Sequence, residues 1–254
     1  MKILKWLSRG LIAAEGPCSK GKAGARAYAV GDIHGRLDLL DDLLSRVEAD
    51  IAARPVSRPL YVFLGDYIDR GLSSRETIDR LIAQGERGEC IFLKGNHEQI
   101  ATKCLSDRRL FDQWMRLGGL ETLISYGIAA GDLANGNSIA QLQSAFHDAL
   151  PQAHLRFFRL LHTKFACGDF YFSHAGVRPG VELSQQSESD LLWIRDEFLN
   201  SSEDHGKIIV HGHTPVQEVE VAPNRINIDT GAFATGRLTC LVIEGPCLSL
   251  IDTR

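Results

Sequence analysis

Two carboxylates and a guanidinium follow directly on an apolar run in Val62-Phe63-Leu64-Gly65-Asp66-Tyr67-Ile68-Asp69-Arg70-Gly71. The run reads as a buried strand, with the polar cluster at its carboxyl end. A turn needs its glycines and at most one aspartate. It does not need Asp66, Asp69 and Arg70 at this spacing. Four more clusters sit behind strand-like runs: Gly31-Asp32-Ile33-His34-Gly35, Gly95-Asn96-His97-Glu98, His174-Ala175-Gly176 and His211-Gly212-His213. Asp, His and Asn are donors for hard-to-borderline divalent cations. Taken singly, each cluster has a structural explanation: Asp32 could cap a helix, Asn96 could hold a turn, and any one histidine could be a satisfied core residue. Five such junctions in one chain point to a shared site.

The elements that must position these residues alternate. Strands are expected over 27–30, 60–64 and 89–93, with helices over 37–53 and 77–83. That β-α-β-α-β order predicts a parallel sheet covered by helices, with the site at the carboxyl ends of the strands. Residues 98–164 lose strand character and read as a mostly helical insertion, about 99–165. Beyond it come a strand at 170–173, a helix around 191–199, and strands at 207–210, 225–229 and 238–243. The expected class is therefore α/β, one domain over 25–254 behind an N-terminal extension of residues 1–24. Phe111, Trp114, Met115, Phe157 and Phe158 of the insertion could border a cleft, although packed helix core is the expectation for most.

In their order and wording, these motifs resemble the phosphoprotein phosphatase family of metallophosphoesterases, above all its small bacterial and bacteriophage-type members. The likeness runs over about residues 27–243 and includes Gly212-His213-Thr214-Pro215 and Ile228-Asp229-Thr230-Gly231-Ala232. It implies a four-layer fold of central β-sheets flanked by helices. It also implies two divalent cations, Mn²⁺ first, with Fe or Zn²⁺ compatible with the same donors. Asp32 and His34 would hold the first and Asp66 would bridge both. Asn96, His174 and His213 would hold the second. The pair would acidify a water that attacks phosphorus in line. His97 would be the general acid and Asp69 its orienting partner. Arg70 and Arg195, with Asn96, would bind the phosphoryl oxygens. His211 reads as supporting the ligands from behind or as merely core-facing, Glu98 as a loop tether, and Asp229 as fixing a loop near the second metal.

Substrate is less constrained than chemistry. Three readings stand: a protein serine/threonine phosphatase, a symmetrical bis(5'-nucleosyl)-tetraphosphatase, and a non-catalytic scaffold. Every expected ligand and catalytic type is present, which argues against the scaffold. Asp66-Tyr67-Ile68-Asp69-Arg70-Gly71 and Trp193-Ile194-Arg195 are similar to the small bacterial protein phosphatases, so phosphoprotein is the substrate expected first. A formal net charge of −4, with no Lys/Arg block, argues against a general nucleic-acid partner. The six cysteines form no CxxC pair, and Cys90, Cys167 and Cys240 lie in or beside apolar runs, so buried free thiols and a cytoplasmic setting are expected. At the N-terminus, Ile3, Leu4, Leu7, Leu11 and Ile12 fit a short amphipathic helix. Packing on its own domain is the first expectation and a membrane-surface or partner contact through residues 1–14 the second.

Overall fold

The computed structural model describes residues 2–3, 25–128 and 139–254. In chain order the strands are β1 (Lys2–Ile3), β2 (Ala25–Val30), β3 (Arg58–Phe63), β4 (Glu89–Phe92), β5 (Lys164–Cys167), β6 (Phe170–Ser173), β7 (Ile208–His211), β8 (Glu220–Val221), β9 (Arg225–Asn227), β10 (Thr239–Glu244) and β11 (Cys247–Asp252). The helices are α1 (Leu37–Ala53), α2 (Ser74–Arg87), α3 (Asn96–Cys104), α4 (Phe111–Trp114), α5 (Leu120–Ser125), α6 (Ile139–Ala149), α7 (Gln152–Leu160), α8 (Glu188–Trp193), α9 (Asp196–Leu199) and α10 (Ala232–Thr235).

Strand alternation decides how the layers stack. Successive side chains of a strand face opposite ways. In β2, Tyr28 and Val30 join the helix-side core, whereas Ala27 and Ala29 face the other sheet. Tyr61 and Phe63 against Val62 and Leu64 repeat this at β3. In β6 and β7, Phe170, Phe172 and Val210 turn toward the first sheet, while Tyr171 and Ile209 pack beneath Leu191, Ile194 and Phe198. The result is four layers: helices, a sheet ordered β1-β11-β10-β2-β3-β4, a sheet ordered β5-β6-β7-β9-β8, and α8–α9. Strands β2, β3 and β4 are parallel, as are β6, β7 and β9. Each large apolar side chain so buried stabilises the fold by roughly 1.5–3 kcal/mol.

Several expectations need correction. The helix expected over 191–199 is two helices, because Arg195 leaves helical geometry (φ −134°, ψ −104°). That break exposes Arg195 while Ile194 and Phe198 stay in the core. The insertion ends earlier than expected, since residues 164–167 form β5, a hairpin partner of β6 turned by Gly168 at φ 64°. Lys2 and Ile3 pair with β11 as a strand rather than opening a helix. The rest of the amphipathic stretch lies outside the described residues. Cys90 and Cys240 are free, but Cys167 is disulfide-bonded. Among the described residues no helix is long and apolar enough to cross a membrane.

Candidate active site

All five motif junctions meet at the carboxyl ends of the parallel strands, as hydrogen bonds between them attest. Gly212 N–H donates to His174 O (2.8 Å), His213 N–H to Asp32 Oδ2 (3.0 Å), and the backbone N–H groups of Ile33 and His34 both to Asp66 O (3.1 and 2.8 Å). Among the described residues, the non-glycine positions with positive φ are His34 (47°), Asp66 (52°), Asp69 (72°), Arg70 (68°) and His213 (67°). Left-handed backbone costs such residues roughly 1–2 kcal/mol each. All five positions are candidate site residues, a concentration of strain typical of functional loops. Glu98 holds the strained loop. Its buried carboxylate accepts N–H bonds from Gly95, Asp66, Tyr67 and Ile68 at 2.8–3.3 Å. Gly95 has to be glycine, because a Cβ there would lie 2.0 Å from Asp66 Oδ1.

Asp66 sits at the centre with its two oxygens directed to two donor groups. Oδ2 lies 3.5 Å from His34 Nε2 and 3.7 Å from His97 Nε2; Oδ1 lies 3.3 Å from His174 Nε2. The donor atoms of His34, Asp66 and His97 all lie within 4.8 Å of one another, as do those of Asp66, His174 and His213. The ring orientations suit metal binding. His34 Nδ1–H donates to Ile68 O and His174 Nδ1–H to Leu64 O, both at 3.0 Å, which turns each Nε2 inward. Asn96 Oδ1 lies 2.9 Å from both His174 Nε2 and His213 Nδ1. Asp32 joins neither triplet. Its Oδ1 is buried and without a hydrogen-bond partner, and so is His213 Nε2.

The electrostatics call for a cation. Asp32, Asp66 and Asp229 are each 2 % exposed and near enough to shift one another. Burial and then Asp229 push Asp32 well above the ordinary carboxylate range, and burial lifts Asp229 to about 6. Burial opposes a charge on His174, yet Asp66 and Asp32 outweigh it and raise the imidazole to about 10. A proton is thus held where the lone pairs of His174, Asn96 and Asp66 converge. His213, by contrast, is kept neutral by burial and by His174, down to about 2. Buried carboxylates, inward imidazole nitrogens and two orphaned donor atoms fit divalent cations held by His34, Asp66, Asn96, His174, His213 and Asp32.

The remaining candidates divide clearly. His97 Nδ1–H donates to Asp69 Oδ2 at 2.6 Å, and both side chains are buried. Burial lowers His97, but Asp66 and Asp69 reverse this and leave it raised. Arg70 donates to His34 Nε2 (3.0 Å) and His97 Nε2 (3.2 Å), and its guanidinium carbon lies 4.6 Å from the centre of the Phe233 ring. Arg195 is exposed, and its charge reaches His213 from the rim. Asn96 turns its oxygen to the histidines, which favours its metal role over a phosphate contact. Asp229 accepts N–H bonds from Gly231 on its carboxylate and from Val216 on its carbonyl, and so ties down its own loop. His211 stays behind the site against Phe198, with burial holding it down to about 3.

Two contributors went unread in the sequence. Trp114 Nε1–H donates to both Asp69 oxygens (2.9 and 3.1 Å), and Thr122 Oγ1–H donates to Asp69 Oδ1 (2.6 Å). No motif surrounds them. An indole in an apolar helical stretch reads as core, and core it is, at 0 % exposure.

Known proteins carry the same scaffold. Residues 25–238 match the family model described as calcineurin-like phosphoesterase. The chain is 27% identical over 230 residues, 84% of its length and 88% of the relative, to the bis(5'-nucleosyl)-tetraphosphatase PrpE [asymmetrical] of Anoxybacillus flavithermus. The protein of that name from Halalkalibacterium halodurans is 24% identical over 229 residues, 84% and 87% of the two chains. Among solved structures, one provisionally described as a diadenosine tetraphosphatase superposes with a TM-score of 0.60 at 19% identity, over 91% of this chain and 98% of the other. A protein serine/threonine phosphatase from Saccharomyces cerevisiae superposes with a TM-score of 0.53 at 15% identity, over 90% and 79%. The fold, the donor set and the extent of the family match agree: the chain is a metallophosphoesterase and belongs to the calcineurin-like phosphoesterase family.

Proposed function

We propose that the chain hydrolyses phosphomonoesters of serine and threonine in proteins. The observation that carries this reading is the buried Asp69–His97 pair. A serine or threonine alkoxide is a poor leaving group and needs a proton as its bond to phosphorus breaks. A nucleotide phosphate, with a second pKa of roughly 6, leaves readily as an anion. An imidazole held above its ordinary value and fixed by a buried carboxylate serves the first substrate far more than the second. Each residue then has a task. His34, Asp66, Asn96, His174, His213 and Asp32 would hold the cations, with the Asp66 carboxylate placed between the two donor groups. When bound, divalent cations supply Lewis acidity toward phosphoryl oxygens and lower the pKa of water. Arg70 exchanges its two imidazole acceptors for phosphoryl oxygens, which frees His97 Nε2 to carry a proton. Arg195 adds a second positive charge from the rim. Asp69 keeps the His97 ring aimed and favours its protonated form.

A second reading, hydrolysis of a bis(5'-nucleosyl) tetraphosphate, is favoured by the names of the curated relatives. Phe233, 38 % exposed beside Arg70 and His34, is a surface on which a nucleobase could stack. The test is kcat/KM on Mn²⁺-loaded enzyme for a phosphothreonine peptide, a phosphotyrosine peptide and diadenosine tetraphosphate. Preference for the phosphothreonine peptide supports the first reading. Preference for the dinucleotide overturns it, and the products, AMP with ATP or two ADP, then give the cleavage position.

A further inference from the structure

Asp69 is fully buried, and three side chains donate to its carboxylate: His97, Trp114 and Thr122. The last two come from the helical insertion, eight residues apart. On an unbroken helix they would be separated by roughly 12 Å along the axis and could not reach one carboxylate. A kinked turn, Met115–Gly119, stands between them, where Gly118 leaves helical geometry at φ 107°. Here the turn brings Thr122 back to the carboxylate that Trp114 already touches. The same turn also seats the next residue. Gly118 O accepts the Arg70 backbone N–H at 3.1 Å, and a Cβ on Gly118 would come within 2.8 Å of Arg70 Cγ. Asp69 and Arg70, both at positive φ, are therefore gripped from the insertion side by one segment.

We propose that Trp114 and Thr122 are positioning residues of the general acid, and that the turn at 115–119 makes the helical insertion part of the catalytic apparatus. They hold the Asp69 carboxylate in one orientation, so that His97 presents Nε2 to the leaving oxygen. In the step they serve, a water oxygen bonds to phosphorus as the bond from phosphorus to the leaving oxygen breaks. The proton on His97 Nε2 passes to that oxygen, and a water proton passes to solvent. This rests on the phosphomonoesterase reading above and deepens it.

The test compares Thr122→Val, Thr122→Ser and Trp114→Phe with wild type, all Mn²⁺-loaded, on an alkyl phosphate (a phosphothreonine peptide) and on p-nitrophenyl phosphate. General-acid catalysis is worth about 10²–10⁴-fold. T122V and W114F are expected to lose roughly 10- to 100-fold in kcat on the alkyl ester and only a few-fold on the aryl ester, with KM little changed. T122S is expected to stay near wild type, because its hydroxyl still donates. Calorimetric Mn²⁺ affinity should be retained throughout. In NMR of the metal-free protein, the His97 Nδ1–H proton should be sharp in wild type and T122S and broadened in T122V. Equal losses on both esters, a raised KM with unchanged kcat, or an unaltered His97 proton in T122V would overturn the proposal. Leaving-group ratios are read on whichever phosphomonoesters the wild type turns over, so an error about the natural substrate and an error about Trp114 and Thr122 show separately.

Discussion

At the scale of single residues, the two oxygens of Asp66 face two groups of donor side chains, His34 on one side and His174 on the other. Asp66→Asn keeps the shape and removes the charge. It is expected to abolish turnover and to weaken Mn²⁺ binding in calorimetry, and near-wild-type turnover would remove the bridging role. His97→Asn is expected to leave metal binding intact and to lose most turnover, least for p-nitrophenol as leaving group. His174 links the site to pH. Its folded value of about 10, above its ordinary 6.5, means that the metal-free fold gains from this proton fully below pH 6.5 and loses the gain as pH rises through 10. A cation competes for the same nitrogen, so metal binding near pH 7 should expel at least the His174 proton. Calorimetry in two buffers of different ionisation enthalpy measures that number, and zero protons released would contradict this account.

At the scale of elements, strands and loops divide the labour. The strands were legible because β2 and β3 alternate between two apolar environments and α1 carries Leu40, Leu43, Leu44 and Val47 on one buried face. The donor residues were legible because short motifs mark the strand ends. Other features lack such a local signal. The break at Arg195 depends on packing Ile194 and Phe198 under the second sheet, and β5 depends on a neighbour, β6, that lies after it in the chain. Trp114 and Thr122 converge only because the chain kinks at Gly118 between them. Glu98 gives this scale its sharpest test, since one carboxylate satisfies four N–H groups of two loops. Glu98→Gln turns an amide N–H toward N–H donors in a dry site. It is expected to cost about 1–3 kcal/mol of stability and to reduce turnover by displacing Asp66. Equal melting temperature and turnover would show that the tether is dispensable.

At the scale of the whole molecule, the two ends of the parallel strands do different work. Asp32 follows the end of β2, whereas Arg26, at its start, is 3 % exposed and belongs to a charge network. Six residues of strand separate these by roughly 20 Å. Arg26 donates to Asp50 Oδ2 (3.2 Å) of α1 and to Glu244 Oε1 (2.9 Å) at the end of β10, while Tyr28 Oη–H and Arg54 donate to the same Asp50 carboxylate. The network therefore pins a helix to the sheet at the end away from the strained loops. Burial raises Asp50, but Arg54, Tyr28 and Arg26 outweigh it and leave its folded value depressed. A depressed carboxylate contributes stability that is present above its unfolded value, about 3.9, and is lost as pH falls through the folded one. Asp50→Asn is thus expected to cost about 1–3 kcal/mol at pH 7, or roughly 2–12 °C in Tm for a chain of this size. The difference from wild type should begin to shrink below about pH 4, as the unfolded chain takes up the proton, and vanish once the folded carboxylate also loses its charge. The carboxylates of the catalytic loops titrate in both proteins, so the difference isolates the network. Turnover at 25 °C should be unchanged, because the loops that carry Asp66, His97 and Arg70 are anchored at the other end. A D50N protein with lost turnover but unchanged Tm would show that the two ends are coupled rather than separate.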